Sequence, residues 1–399
     1  MGIDSREVTP ELTRAVVHLA AEVRSFERAQ IVTERVLGHS VSCSTIRRLA
    51  HQVGQELADL QRSPERTDGK EVVVPEAAVV SCDGGRIRAR QPGQGRGVCL
   101  AGEKGWRETK NASFERMRLH PQHVENEDAC PELPSSFRAA QKVANLAGKA
   151  VPQGDPPPEA QVESDAPRVK YEGPQRVLRT ALSSLVCSDT FGTMMQREAQ
   201  RRRFYEASRR VFLGDGLPWN WSIWKKHFPT FVPVLDFIHA IQYVYAAALA
   251  VADTEAEGWA TYLRYVTWCW QGQVAQVIAE LTTACRERGI PWDQAEEGDP
   301  HKPLVDAVRY LTNNQTRMDY PRYRREGLPV TSAPMESLIK QINLRVKGTE
   351  MFWDDPAGAD AILHLRAATL SEDDRLNDYL LQRPGYAFRR RTTPPAIAA

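Results

Sequence analysis

Val211-Phe212-Leu213-Gly214-Asp215-Gly216, followed by Phe231-Val232-Pro233-Val234-Leu235-Asp236-Phe237-Ile238-His239, carries the reading of this fold. Each stretch is a short apolar run that ends on or just before an acid, and open α/β sheets place ligands at the carboxyl ends of their strands. An Asp between two glycines lies where no neighbouring side chain crowds an incoming metal or phosphate. Gly-Asp-Gly is equally an ordinary turn sequence, so the motif alone does not decide. Trp219, Trp221 and Trp224 fill the connection between the two runs. His239 stands three residues beyond Asp236 on what reads as a helix, so the two share a face.

Working outward, the residues before this stretch fall into two parts. From Thr9 to Leu60 apolar residues recur three and four apart, including Leu12, Val16, Leu19, Val23 and Phe26, which is a helical period. Gly38-His39-Ser40 breaks a helix over Glu27–Leu37, and Ser42, Cys43 or Ser44 can cap the next one, Thr45–Leu60. A helix pair around a glycine turn, the second opening with Arg47 and Arg48, has the outline of a helix-turn-helix. A plain packing pair gives the same outline. Past a polar linker at Arg62–Lys70 the period changes. Val72–Val74 and Ala77–Ser81 lead into Cys82-Asp83-Gly84-Gly85, read as a strand ending at Asp83 and a glycine turn. A second strand with alternating Arg86, Arg88 and Arg90 follows, and Gly102–Lys110 reads as a hairpin into a third. Asp83 in this setting is either a site acid or a hairpin turn residue.

A proline-rich segment at about 151–174 reads as an extended insertion. Arg176–Ala207 reads as helix, with a basic run at Arg197, Arg201, Arg202, Arg203, Arg209 and Arg210 that is either a solvated face or a phosphate contact. Beyond Ala252, Glu255–Arg288 and Pro303–Thr316 are helical, and Trp259, Tyr262, Tyr265, Trp268 and Trp270 are core candidates. Ser332 can cap a helix to about Val346, with Pro334 in its first turn and Glu336 near its start. Glu336, Lys340, Asn343 and Lys347 share one face of it. A last helix spans Gly358–Thr369, and the residues after it form a tail.

Composition bounds the rest. The chain has 399 residues, of which 26% are charged and 8% aromatic, a globular composition that admits one to three domains. A formal net charge of +1 gives no global attraction to nucleic acid or membrane, so any polyanion contact rests on local basic patches. The seven cysteines never fall in a Cys-x2-Cys spacing, which argues against a disulfide framework or a cysteine zinc site. No run approaches the roughly 20 apolar residues of a membrane span. The expectation is a soluble protein of a reducing compartment.

Asp83, Asp215 and Glu336 belong together. Hairpins first, then alternating strand and helix, is the order of an RNase H-like mixed five-stranded sheet, in which the first and fourth strands are neighbours. Carboxylates converging there repel one another unless a divalent cation neutralises them. Mg²⁺ suits them because it takes oxygen ligands, and two such ions about 3.5–4 Å apart can cut or join a phosphodiester.

The chain resembles the DDE transposases of bacterial insertion sequences, nearest to the ISKra-type group and more distantly the Mutator-type enzymes. The resemblance rests on Asp83-Gly84-Gly85-Arg86, on Gly214-Asp215-Gly216 with Trp219 and Trp221, and on Leu235-Asp236-Phe237-Ile238-His239. It continues through Met335-Glu336-Ser337 and Asn343-Leu344-Arg345-Val346-Lys347-Gly348-Thr349-Glu350-Met351-Phe352-Trp353. Two features depart from it: Ser332-Ala333-Pro334 where relatives tend to show Ser-Gly, and the proline-rich segment.

The resemblance implies that Asp83, Asp215 and Glu336 hold two Mg²⁺ ions, with Mn²⁺ as a substitute. It further implies that Asp236 and His239 form an acid-x-x-His element. His239 would then orient a phosphate or water, or would simply be a helix histidine bonded to Asp236. Arg86, Arg345 and Lys347 are candidates for backbone phosphate contact, and Arg47 and Arg48 for reading the element ends. The domain layout that follows is an N-terminal helical DNA-binding domain (1–62), an RNase H-like core (71–253), an all-helical insertion (254–330), the rest of the core with the Glu helix (331–375) and a tail (376–399).

The implied activity is cleavage at element ends and strand transfer into target DNA. The partners would be double-stranded terminal repeats and target DNA, the assembly a homodimer or larger, and the location the bacterial cytoplasm at the nucleoid. An inactive, transposase-derived DNA-binding regulator is the alternative. A carboxylate hydrolase of small molecules is a third reading, needing neither Mg²⁺ nor salt-sensitive DNA binding.

Overall fold

In the computed structural model of the chain, residues 8–64, 72–90, 105–119, 131–149, 171–290, 299, 301–348 and 351–383 are described. The proline-rich segment falls outside them except for 171–174, as does everything past Arg383. In chain order the elements are α1 (Pro10–Glu22), α2 (Phe26–Leu37), α3 (Cys43–Arg62), β1 (Ala77–Arg88), β2 (Trp106–Arg118), α4 (Ala140–Ala147), β3 (Gln175–Ser184), α5 (Ser188–Arg201), β4 (Arg209–Gly214), α6 (Pro218–His227), β5 (Val232–Leu235) and α7 (Phe237–Val251). Then come α8 (Glu255–Trp270), α9 (Val274–Glu287), α10 (Lys302–Asn314), α11 (Tyr320–Arg325), α12 (Ala333–Val346), α13 (Pro356–Leu370) and α14 (Arg375–Gln382).

The five strands form one mixed sheet in the order β3-β2-β1-β4-β5. β1 pairs antiparallel with β2 and parallel with β4, and β4 pairs parallel with β5. Alternation along β1 divides the core. Ala77 and Val79 join Val211, Leu213 and Val234 under α7 and the helices α8–α11. Ala78, Val80 and Cys82 point the other way, with Phe212, into the layer of α5 and α6. Trp259, Tyr262, Tyr265 and Trp270 are buried, as their apolar bulk predicts.

Two expected elements change. Gly84-Gly85 does not turn the chain; β1 runs through it unbroken to Arg88, so the Arg86–Arg90 segment continues the same strand. The glycine at 85 is needed for space, since a Cβ there would lie 2.5 Å from Thr109 Oγ1 and 3.2 Å from Asn111 Nδ2 of β2. Gln175–Ser184, read as helix, is the edge strand β3. Leu178, Ala181, Leu182 and Leu185 mimic a helical period, but pairing with β2 wins over local preference. The outer edge of β3 is covered rather than open. The Glu372 N–H donates to the Arg179 carbonyl at 2.8 Å, and the Ala181 N–H to Ser371 Oγ at 3.0 Å.

At the other end, α2 stops at Gly38 in the left-handed conformation (φ 66°), and Ser42 caps α3 through the Thr45 N–H at 3.2 Å. The three N-terminal helices share one apolar core with α12 and α13. α3 meets α13 almost backbone to backbone: a Cβ on Gly54 would stand 2.1 Å from the Ala361 carbonyl oxygen. The expected tail begins as helix α14, whose Arg375 reaches the buried Glu198 at 2.6 Å.

A candidate metal centre beyond the parallel strands

Backbone register brings the first two acids together. Cys82 of β1 pairs with Gly214 of β4, so Asp83, still within β1, and Asp215, just past the end of β4, stand at the same height on neighbouring parallel strands. Their carboxyls lie close enough that each shifts the other's ionisation. Asp215 Oδ1 also accepts from the Leu217 N–H at 2.9 Å and from Asn220 Nδ2, which donates in addition to the Cys82 carbonyl at 3.3 Å. The glycines around Asp215 serve aromatic packing. Trp221 lies against Gly214, and Gly216 adopts φ 100° with the Tyr310 ring where a Cβ would stand. The Tyr310 hydroxyl donates to the Asp215 carbonyl at 2.6 Å and its ring stacks on Tyr243.

Asp236 follows β5 and caps α7, its Oδ1 accepting from the Ile238 N–H at 3.1 Å. It is fully buried and accepts the Nδ1–H of His239 on Oδ2 at 2.6 Å. Two further donors come from Ser332: its N–H to Oδ1 at 2.9 Å and its hydroxyl to Oδ2 at 2.5 Å. Ser332 precedes α12 without capping it through its side chain, contrary to the expected role, because the hydroxyl is engaged by Asp236. Glu336 sits in the first turn of α12, largely buried, with Lys340 Nζ at 3.8 Å.

The acids therefore fall into two adjoining groups. Asp236, His239 and Glu336 place ligand-type atoms within 4.8 Å of one another, a group able to hold a metal ion. Asp83 and Asp215 form the second group, and the charge of His239 acts on both. Among the described residues, Asp83, Asp215 and Glu336 do not by themselves meet within that distance.

The electrostatics are those of acids only partly offset by one imidazole. Burial, then the neighbouring Asp215, pushes the Asp83 carboxyl up to about 7, against the pull of His239 and the Gly84 N–H. Burial raises Asp215 too, opposed by the Leu217 N–H and by His239. Burial alone would lower His239. The hydrogen bond to Asp236, with the charges of Asp236, Asp215 and Asp83, overcomes it and holds the imidazole up at about 9. Among the described residues no Lys or Arg forms an ion pair with Asp83 or Asp215. Two half-buried carboxyls side by side, offering oxygen donors with only the His239 imidazolium to offset their charge, fit a hard divalent cation.

The basic candidates divide. Arg86, Arg47 and Lys347 are exposed, and Arg48 is half-buried. The Arg47 guanidinium lies 5.5 Å over the Phe26 ring and Lys347 Nζ the same distance over Trp106. Arg345 is not a phosphate contact. It is 1% exposed, donates from Nε to the Ala20 carbonyl at 2.6 Å, and lies over the Phe26 ring. The arginine run is mostly engaged inside the protein as well. Arg201 and Arg202 bind the buried Glu198, Arg203 pairs with Glu206, and Arg210 donates to the Tyr205 carbonyl.

Ser332, Asn220 and Tyr310 escaped the sequence reading as site residues. Asn220, five residues after Asp215 and one turn into an aromatic helix, is the only one with a local signal; Ser332 and Tyr310 arrive through tertiary contacts. No protein-family model matches the chain, and no curated protein matches it either. Among the described residues no helix is long and apolar enough to cross a membrane.

Proposed function

We propose that this chain is a metal-dependent polynucleotidyl transferase of the DDE transposase kind, cutting DNA at the ends of an element and joining the freed strand to a target. The observation that carries the reading is the pair of half-buried aspartates on the parallel neighbours β1 and β4, with no Lys or Arg ion-paired to them among the described residues, His239 acting on both, and Glu336 grouped with His239. The strand order, antiparallel on one side of β1 and parallel on the other, is compatible with an RNase H-like sheet. The long all-helical run α8–α11 before the Glu helix suits the insertion that the resemblance implies.

In this reading Asp83, Asp215 and Glu336 hold Mg²⁺ through their carboxylate oxygens. The bound cation would neutralise charge at the phosphodiester and activate the attacking oxygen. His239, its Nδ1–H engaged by Asp236, would use its Nε2 to donate to a phosphate oxygen or orient a water. Exposed Arg86 and Lys347 would contact backbone phosphates, which position DNA without reading its sequence.

The test is strand cleavage. Purified chain is incubated with labelled duplex carrying the element ends, with Mg²⁺, Mn²⁺ or EDTA, beside Asp215→Ala. Metal-dependent nicking that disappears in the variant supports the proposal. Salt-sensitive DNA retention without cleavage under any metal favours the regulator reading, and absence of both returns the site to small-molecule chemistry.

A further inference from the structure

Asp236 belongs to the metal-competent group by distance, yet its carboxylate is already saturated. An ionised carboxylate offers about four lone-pair sites. All are engaged: Oδ1 by the Ile238 and Ser332 N–H groups, Oδ2 by the Ser332 hydroxyl and His239 Nδ1. To ligate a cation, Asp236 would have to release one of these donors inside a fully buried environment, leaving a polar group without a partner.

We propose that Asp236 is a positioning residue and that it acts through Ser332 on Glu336. The inference rests on the reading of Glu336 as a metal ligand. Ser332 donates two hydrogen bonds to one side chain 96 positions away in sequence. Its own carbonyl then accepts the N–H of Met335 at 2.7 Å and of Glu336 at 3.1 Å, which builds the first turn of α12. One residue therefore links Asp236 to the backbone of Glu336. A second strap runs parallel, from the Phe237 N–H to the Val330 carbonyl at 2.9 Å. Serine before a helix ordinarily stabilises it by accepting from the N–H groups of the first turn. Here the hydroxyl is turned away from its helix and onto the acid, an arrangement that fixes where α12 begins. The same carboxylate engages His239 Nδ1, so a single buried group positions both other members of the metal-competent group, His239 and Glu336.

The experiment is Mn²⁺ binding to the full chain without DNA, followed by electron paramagnetic resonance of free Mn²⁺, for the wild type, Ser332→Ala, Ser332→Val and Ser332→Thr. A cavity of about 140 Å³ adjoins Ser332, Thr331 and Pro334 and can take the extra methyl groups. The two variants without a hydroxyl are expected to raise the half-saturating Mn²⁺ concentration roughly ten-fold, in the range of outer-shell substitutions, while Ser332→Thr stays near wild type. Circular dichroism and retention of duplex DNA should not change. If the alanine chain fails to fold, the threonine and valine chains, matched in shape, decide alone. Wild-type affinity in the variants without the hydroxyl overturns the proposal, as does an equal loss in threonine and valine. A wild-type chain that binds no Mn²⁺ sinks instead the metal reading on which this one rests.

Discussion

Replacing Asp83 by Asn should stabilise the metal-free protein while abolishing its response to metal. Burial and Asp215 move the Asp83 carboxyl from 3.8 up to about 7, with the favourable charge of His239 already included. That displacement corresponds to about 4 kcal/mol at 1.36 kcal/mol per pH unit, and partial solvent screening reduces it to roughly 2–4 kcal/mol. The sign follows from linkage. An acid harder to ionise folded than unfolded contributes nothing adverse below its unfolded value, and costs stability progressively as pH rises toward its folded value. The gain from Asp83→Asn should therefore be small near pH 4, grow to about pH 7 and stay level above it. For a chain of this length the full gain is about 2–5 °C in Tm. Mg²⁺ at ten times its Kd would add about 1.4 kcal/mol to the wild type and nothing to the variant. Urea denaturation from pH 4 to 8, with and without Mg²⁺, reads the free energies, and thermal unfolding at pH 8 reads the Tm. A variant less stable than wild type at pH 8, a pH-independent difference, or equal Mg²⁺ stabilisation of both chains would refute the reasoning.

Three further outcomes are expected. The imidazole of His239 should titrate near 9 by NMR and fall in Asp236→Asn; because its folded value is raised, the stability it adds is complete below about 6.5 and lost as pH climbs through 9. Arg345→Ala should lower stability by roughly 2–4 kcal/mol, since it leaves the buried Ala20 carbonyl without its donor and opens space beside Phe26; unchanged urea midpoints would restore Arg345 as a surface contact. Arg86→Ala and Lys347→Ala should leave folding intact but weaken duplex binding, each reducing the salt slope of log K by about 1.

The parallel half of the sheet was legible because its information is local. Val211–Leu213 is a buried apolar run and Val232–Leu235 one that becomes buried at Val234, each bounded by glycine or an acid, and helix α7 begins directly after Asp236, so strand, acid and helix follow from a short span of residues. The antiparallel half was misread where information is long-range. Gly84-Gly85 has the composition of a turn, and what keeps it extended is Thr109 and Asn111 on another strand. β3 carries a helical spacing of Leu178, Ala181 and Leu182 that only its pairing with β2 overrides. Charge misled in a similar way. Arg345 and Arg202 look like surface cations in the sequence, and it is the carbonyl of Ala20 and the carboxylate of Glu198, both distant in the chain, that hold them inside.

The two groups of acids are therefore held by different forces, and this difference shapes how the site can fail. Asp83 and Asp215 are placed by the backbone ladder between β1 and β4, which side-chain substitution hardly disturbs. Glu336 reaches the site after four intervening helices, and what returns it is a set of hydrogen bonds centred on one buried carboxylate. Substitutions around Asp236 and Ser332 should then leave the aspartate pair and its repulsion in place while displacing the third acid. Such a protein would keep the raised carboxyl of Asp83 but bind the cation poorly, whereas a break in the ladder would lose both together. Measuring the pH dependence of stability beside metal affinity in one set of variants separates the two modes.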